Sequence, residues 1–529
     1  MSTLGNRIRA GRRPIGMLPA IYAPPHLSGL SEMITNEKEK RFSGCLIHLL
    51  ILSVVVLGIG TYLILTTVFI ADDGFTYLKW AQRLSADPAT TIRQSPIHPG
   101  YLFTLLFAKR IVASSQDTNQ LTDWILPAQC ATLACRLATI LVLYLMGRLL
   151  VGPRMSFWGA FIVCFLPYPA KYGSDILSDW PHLLFLVLGL YLLTLHMMSS
   201  RMLLVFLLGL VTGFAYLVRP EGVQLLLYGI AWLLFILFKS PNDYPRKRCL
   251  ISIGLLVAGF TLTAAPYMQI TGYVFPEREL IPLNTPQAGH IQPEVRESPH
   301  TCCAAVLHPK IVAGGGQIAN NVCEMLVYYF VPAWLIGVVT SIYRDVSVRW
   351  RFLIATFVIV NVAVLLWQFC NHSAISRRYT LPLVAVTGLY IPVGIRMLSK
   401  QFSNLFTRPL ARTDTSKRTW FVLFVAVGVA ICGPKLLTPL HAQRLPSKKA
   451  VLWLRENTEE TDYLYVPYKR IALYACRDFT TNPKHPKPTY SVREQSSREP
   501  LQELEGYEAL HAIPANGSQL VIYRRVINP

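Results

Sequence analysis

Residues 69–84 read FIADDGFTYLKWAQRL and follow a long, almost unbroken apolar run. Two adjacent carboxylates, Asp72 and Asp73, therefore stand where a greasy segment ends. Such a pair suits three jobs: capping a helix, holding a metal, or taking a proton from an attacking hydroxyl. Isolated ionisable residues recur at the ends of later apolar runs. They are His98 in SPIHPG, Lys171, Asp175 and Asp179 in KYGSDILSD, Arg219 and Glu221 in VRPEG, and Arg377 and Arg378 in SRRY. A charge within a bilayer costs about 3 kcal/mol, so each is a candidate for function. Arginine grips phosphate in a bidentate fork and carboxylates accept protons. Together they suit a lipid-borne phosphate and a polar acceptor.

The elements that must position these residues are apolar helices. The 529-residue chain is 52% hydrophobic and only 15% charged, with a mean hydropathy of +0.38. Soluble domains carry roughly 25% charged residues, so the composition is that of a polytopic membrane protein. A span needs about 20 apolar residues whose backbone satisfies itself, which selects helices over a barrel here. Apolar windows fall near 43–70, 124–147, 154–169, 181–198, 202–218, 222–238, 250–270, 322–342, 351–369, 380–398 and 419–439. The expectation is an all-α integral membrane protein of about eleven spans. The net charge of +21 reads as Lys and Arg kept on cytoplasmic loops against anionic headgroups, and nucleic acid is not expected as a partner.

Positive charge sets the expected orientation. With the N-terminus (Arg7, Arg9, Arg12, Arg13, Lys38, Lys40, Arg41) in the cytoplasm, alternation places GRLLVGPR, KSPNDYPRKR, YRDVSVRWR and residues 396–418 inside as well. The opposite face then carries 71–123, 170–180, 219–221, 271–321, 370–379 and the tail after 440. All the candidate residues converge on that face.

The chain divides into a cytoplasmic tail (1–42), a multi-span membrane domain (43–439) and a small extracytoplasmic α/β domain (440–529). In the first outer loop, GFTYLKWAQRL has Phe75, Leu78, Ala81 and Leu84 at helical spacing, the pattern of a helix lying in the interface. SPIHPGYLFTLLFAKRIV opens on a Pro-bounded turn and becomes a second short helix. In the tail, 447–458 and 468–477 read as helices, 462–467 and 518–526 as strands, and 478–500 as loop. The eleven cysteines lack metal-ligand spacing. Cys45, Cys130, Cys135, Cys164, Cys249 and Cys432 sit in or beside apolar runs, whereas Cys302, Cys303, Cys323, Cys370 and Cys476 fall on the outer face, where a disulfide can form.

In this order and sidedness the motifs resemble the C-type polytopic glycosyltransferases, the branch of protein O-mannosyltransferases and aminoarabinose transferases. The resemblance runs through ADDGFTYLKWAQRL, SPIHPGYLFTLLF, KYGSDILSDWPHLLFLVLGLYLL, the RPEG turn, SRRYTLPLVAVTGLY and AVLWLRENTEETDYLYVPYKRIALYACRDF, and so covers most of residues 43–480. Asp-Asp stands where Asp-Glu is usual, and the 271–321 loop has no counterpart. The resemblance implies transfer of a monosaccharide from a polyprenyl-phosphate donor to a hydroxyl of a protein, lipid or glycan acceptor, outside the cytoplasm, with inversion. It puts Asp72 in the place of the base, Asp73 beside it and Asp179 at the opening of a later helix. Arg219, Arg377 and Arg378 lie at turns that meet the phosphate, with His98, Lys171 and Glu221 as further contacts. It also implies an integral membrane location, the bacterial inner membrane.

Each site has a bland alternative. Asp72 alone is a good helix cap, His98 beside Pro99 a turn residue, Lys171 and Asp175 solvated loop residues, and Glu221 a local partner for Arg219. Arg377 and Arg378 run against the positive-inside trend, and snorkelling to headgroups is their alternative. No cofactor is expected. A divalent ion on Asp72, Asp73 and His98 is not favoured, because no second acid pair accompanies them. NHS (371–373) and NGS (516–518) are glycosylation sequons only in a eukaryotic lumen. The rival functions are a transporter or lipid flippase, a surface-glycan polymerase or ligase, and a non-catalytic scaffold.

Overall fold

The computed structural model describes residues 26–112, 120–239, 245–272, 304–343, 348–406, 414–459, 461–480, 488–497, 500–515 and 517–526. Arg7–Arg13, Cys302, Cys303, most of the 271–321 loop and Asn516 of the second sequon lie outside them. The chain divides into residues 1–50 and 51–529. The first unit contributes the opening of helix α1 (His26–Leu65), and the following account concerns the second.

After α1 come three short helices, α2 (Asp72–Ala86), α3 (Pro88–Gln94) and α4 (Pro99–Val112). The membrane part continues as α5 (Ile125–Leu150), α6 (Pro153–Phe165), α7 (Pro167–Tyr172), α8 (Asp179–Ser199), α9 (Met202–Val218), α10 (Gln224–Lys239) and α11 (Arg246–Thr271). It closes with α12 (Ala304–Met325), α13 (Val331–Tyr343), α14 (Val348–His372), α15 (Leu381–Thr387), α16 (Ile391–Phe406) and α17 (Asp414–Leu437). All eleven apolar windows meet helices. Among the described residues eight helical stretches are long and apolar enough to cross a bilayer, while α9 and α13 are shorter. The window 322–342 is broken, because α12 stops at Met325 and the chain turns through Val327 and Tyr328 at positive φ before α13. Helix α12 also occupies the end of the stretch read as the second outer loop.

Close helix packing here relies on missing side chains. Gly209 of α9 faces Leu256 of α11, and Gly259 of α11 faces Phe206 of α9; a Cβ on either would strike the other helix's backbone. Small residues at such crossings let two backbones approach in lipid, where no water is available to drive association.

The C-terminal part is an α/β domain. Helices α18 (Leu445–Asn457) and α19 (Lys469–Ala475) join a five-stranded sheet of β1 (Tyr463–Tyr465), β2 (Asp478–Thr480), β3 (Tyr490–Ser496), β4 (Tyr507–Pro514) and β5 (Ser518–Arg525). The order is β2-β1-β3-β5-β4; β1 pairs in parallel with β2 and β3, whereas β5 pairs antiparallel with β3 and β4. Residues 478–500, read as loop, thus contain two strands. Polar YSVREQS forms β3 because central pairing with β1 and β5 outweighs local composition. The core of this domain includes Val451, Leu454, Leu464, Ile471, Val492 and Ile522, and it takes in Phe69 from the segment after α1.

Candidate active site

Helix α2 begins with Asp72 and Asp73 themselves, and Ala71 is its N-cap without a side-chain cap bond. Asp72 therefore does not cap, although both acids suit the positive end of the helix dipole. A step of about 100° per residue sends the two carboxylates in different directions. Asp72 meets two arginines of the C-terminal part. Arg444 donates to it from Nη1 at 3.3 Å and Nη2 at 3.0 Å, and Arg470 from Nη1 at 2.5 Å. Asp73 instead forms an ion pair with Arg378.

The approach to α2 is tied down from three sides. Val68 N–H donates to the Leu440 carbonyl at 3.1 Å, and Ile70 N–H to the Tyr474 hydroxyl at 3.2 Å. Burial pushes the Tyr474 hydroxyl above the usual tyrosine range, against the opposing effect of the Ile70 contact. Buried Asp175 accepts from Ala71 N–H at 3.1 Å and Ile176 N–H at 2.8 Å, and its other oxygen lies 2.8 Å from His441 Nε2.

Beside Asp73 lies a second cluster. Arg219, at the end of α9, reaches Asp179 at 3.0 Å and donates from Nε to Ser178 Oγ at 2.8 Å. Tyr77, one turn after Asp73, shares that Ser178 hydroxyl at 2.9 Å. Burial raises the Tyr77 pKa, with Arg219 and Ser178 pulling it down, so its hydroxyl stays protonated at neutral pH. The Arg219 and Arg378 guanidiniums both lie over the Tyr379 ring, at 5.7 and 5.4 Å. The start of α4 is pressed on the end of α9, where a Cβ at Gly100 would strike the backbone of Leu217 and Val218.

A cleft adjoins this cluster, lined among others by Asp179, His182, Arg219, Glu221, Gln224 and Gln368. Gln368 donates to Glu221 at 3.2 Å. A second, apolar cleft is lined by Leu190, Ile354, Phe357, Val386 and Tyr390. These residues lie farther along helices α8 and α14 and the α15–α16 segment that wall the first cleft. The first cleft is lined by charged and polar side chains as well as apolar ones, the second almost wholly by apolar ones, on helices they share.

Asp72, Asp73, Asp179, Arg219, Glu221 and Arg378 therefore gather at one end of the bundle. Arg377 turns away, pairing with Glu324 and lying 4.2 Å over the Tyr168 ring. His98 is buried against Tyr216 and Tyr267 at 5.1 and 5.3 Å, and Lys171 lies half-buried on α7. Asp175 is a buried junction rather than a solvated residue. Sequence reasoning missed Arg444, Arg470, His441, Tyr77, Ser178 and Tyr379. The first three lie beyond the last span, in a stretch read only for its secondary structure. Among the described residues no group of three or more His, Cys, Asp or Glu side chains is gathered to hold a metal ion.

Comparison with solved structures decides the fold. The archaeal oligosaccharyltransferase AglB from Archaeoglobus fulgidus, in complex with an inhibitory peptide and a dolichol-phosphate, is similar over 83% of this chain and 64% of that one, with 13% identity and a TM-score of 0.53. ArnT from Cupriavidus metallidurans in the apo state is similar over 91% of this chain and 98% of that one, with 11% identity and a TM-score of 0.52. The fold is that of the C-type membrane glycosyltransferases. ArnT bound to undecaprenyl phosphate is similar over 90% and 97% of the two chains, at 12% identity and a TM-score of 0.50. This chain thus spans nearly the whole of ArnT and 64% of the oligosaccharyltransferase chain. At these identities the likeness is one of fold. No protein-family model and no curated protein matches the sequence.

Proposed function

We propose that this protein is a membrane glycosyltransferase that moves a monosaccharide from a polyprenyl-phosphate donor to an acceptor hydroxyl on the extracytoplasmic side, with inversion. The observation that carries the reading is the Arg219–Arg378 pair over Tyr379, at the mouth of a polar cleft whose helices continue into an apolar one. The solved neighbours named with dolichol-phosphate and undecaprenyl phosphate support it. The donor phosphate would sit between Arg219 and Arg378, and its isoprenoid chain would follow the apolar cleft.

The acceptor oxygen attacks the anomeric carbon from the face opposite the phosphate. As the new C–O bond forms, the bond to phosphate breaks and its electron pair stays on the phosphate oxygen. The hydroxyl proton passes to a carboxylate of the Asp72–Asp73 pair. The leaving phosphate needs positive charge rather than a proton, and fixed guanidiniums supply it without reorganisation. Base assistance is worth about 10²–10⁴ in rate. Asp179 holds Arg219 in place, and the bound donor takes over part of its charge.

A transporter commonly holds its ionisable groups near mid-membrane between related halves; the ion pairs described above gather at one end. The orientation with both the site and the tail outside follows the positive-inside reading. The test is incubation of purified protein in nanodiscs with radiolabelled sugars on polyprenyl phosphate. Release of polyprenyl phosphate with label passing to a hydroxyl-bearing acceptor is the expected result. Binding of the donor without any sugar transfer, across a panel of hexosyl and pentosyl donors, would remove the reading.

A further inference from the structure

The two acids of α2 face different structures, and their surroundings divide the work between them. Asp72 and Phe75 (i, i+3) turn towards the C-terminal domain, where Phe75 meets the Tyr474 ring edge-on at 5.6 Å. Asp73 and Tyr77 (i, i+4) turn towards Arg378, Ser178 and the mouth of the cleft. Residues at these spacings share a helix face.

We infer that Asp73 is the general base of the proposed sugar transfer, on which this assignment rests, and that Asp72 is a positioning residue that latches the C-terminal domain to α2. A carboxylate has about four lone-pair directions, and Asp72 spends three on Arg444 and Arg470. Those arginine side chains are 20% and 10% exposed, although Asp72 itself is 65% exposed, and among the described residues Asp72 is the ion-pair partner of both. A base gains a proton in the transition state. Neutralising Asp72 would leave two guanidiniums facing an uncharged acid, and a poorly solvated unpaired charge is costly.

Asp73 escapes this conflict. Its Oδ2 pairs with Arg378, which also lies over Tyr379 together with Arg219. When the acceptor proton moves to Asp73, negative charge appears at the same moment on the departing phosphate oxygen. Arg378 exchanges one anion for the other and is never left unpaired. Proton, electron pair and counter-charge therefore balance around one guanidinium.

The experiment compares Asp73→Asn, Asp72→Asn and the triple variant Asp72→Asn/Arg444→Gln/Arg470→Gln in nanodiscs, reading kcat for sugar transfer and protection of the C-terminal domain from limited proteolysis. Asp73→Asn is expected to lower kcat about 10²–10⁴-fold with the domain as protected as in the wild type. Asp72→Asn is expected to expose the domain and to lower kcat less. The triple variant, which removes the charges as a set, is expected to recover protection and turnover relative to Asp72→Asn. Normal turnover in Asp73→Asn overturns the base assignment. So does a triple variant that is protected yet as slow as Asp73→Asn is expected to be, because a latch can be replaced by neutral groups and a base cannot. Asp72→Asn with wild-type protection overturns the latch, whether or not transfer is measurable. Failure of the wild type to transfer any sugar removes the underlying function and is recognised separately.

Discussion

Arg470 of α19 and Asp72 of α2 stand 398 residues apart in the chain and 2.5 Å apart in space. This contact makes the C-terminal domain part of the candidate site rather than an appendage. Through it, and through Phe69 in the domain's core, the geometry of α2 depends on residues that follow α17.

Phe69 gives one direct test of that dependence. It is 1% exposed, packed into the C-terminal core and edge-on to Tyr474 at 4.6 Å. Phe69→Ala removes a ring from a closed core, a change that costs about 3–5 kcal/mol. The expected outcome is earlier unfolding of the C-terminal domain with a parallel fall in sugar transfer. A variant that unfolds early yet transfers normally would show that the domain does not hold α2.

Arg219 is expected to matter for stability as well as turnover. Asp179 is 2% exposed at its side chain and Arg219 13%. Arg219→Ala strands a buried carboxylate, which costs about 3–5 kcal/mol. Thermal unfolding in detergent should show the loss. Arg219→Gln combined with Asp179→Asn should recover much of it while sugar transfer stays low. Recovery of transfer along with stability would mean that Arg219 has no task beyond neutralising Asp179.

The apolar cleft makes a prediction about donor length. Val386 lines it and is 8% exposed. Val386→Phe adds volume along the proposed path of the isoprenoid chain. Donors with long chains should show a raised KM, and analogues truncated after one or two isoprene units should be little affected. An equal change for both would separate this cleft from donor binding.

The helices were legible because a span needs a run of apolar residues, and hydropathy reports such runs directly. Polar breaks such as VRPEG were equally plain, since charge is excluded from the bilayer interior. Less legible was the break after Met325, which depends on Val327 and Tyr328 adopting positive φ within an apolar stretch. Strand β3 was hidden for another reason: YSVREQS has no strong strand pattern, and its pairing partners lie at 464–465 and 518–524. His98 and Arg377 looked equivalent to the other outer-face residues. Only packing turned the first towards Tyr216 and the second towards Glu324.

What the sequence determined by itself was a bundle of apolar helices with its unusual charges at the connections, because transfer into lipid sorts residues by polarity alone. What the tertiary structure decided was which charge meets which. Asp72 and Asp73 are chemically identical neighbours, and the rotation of one helix step assigns the first to Arg444 and Arg470 and the second to Arg378. Polarity is a property of each residue, whereas ion pairing depends on direction and distance, which exist only once the helices have packed.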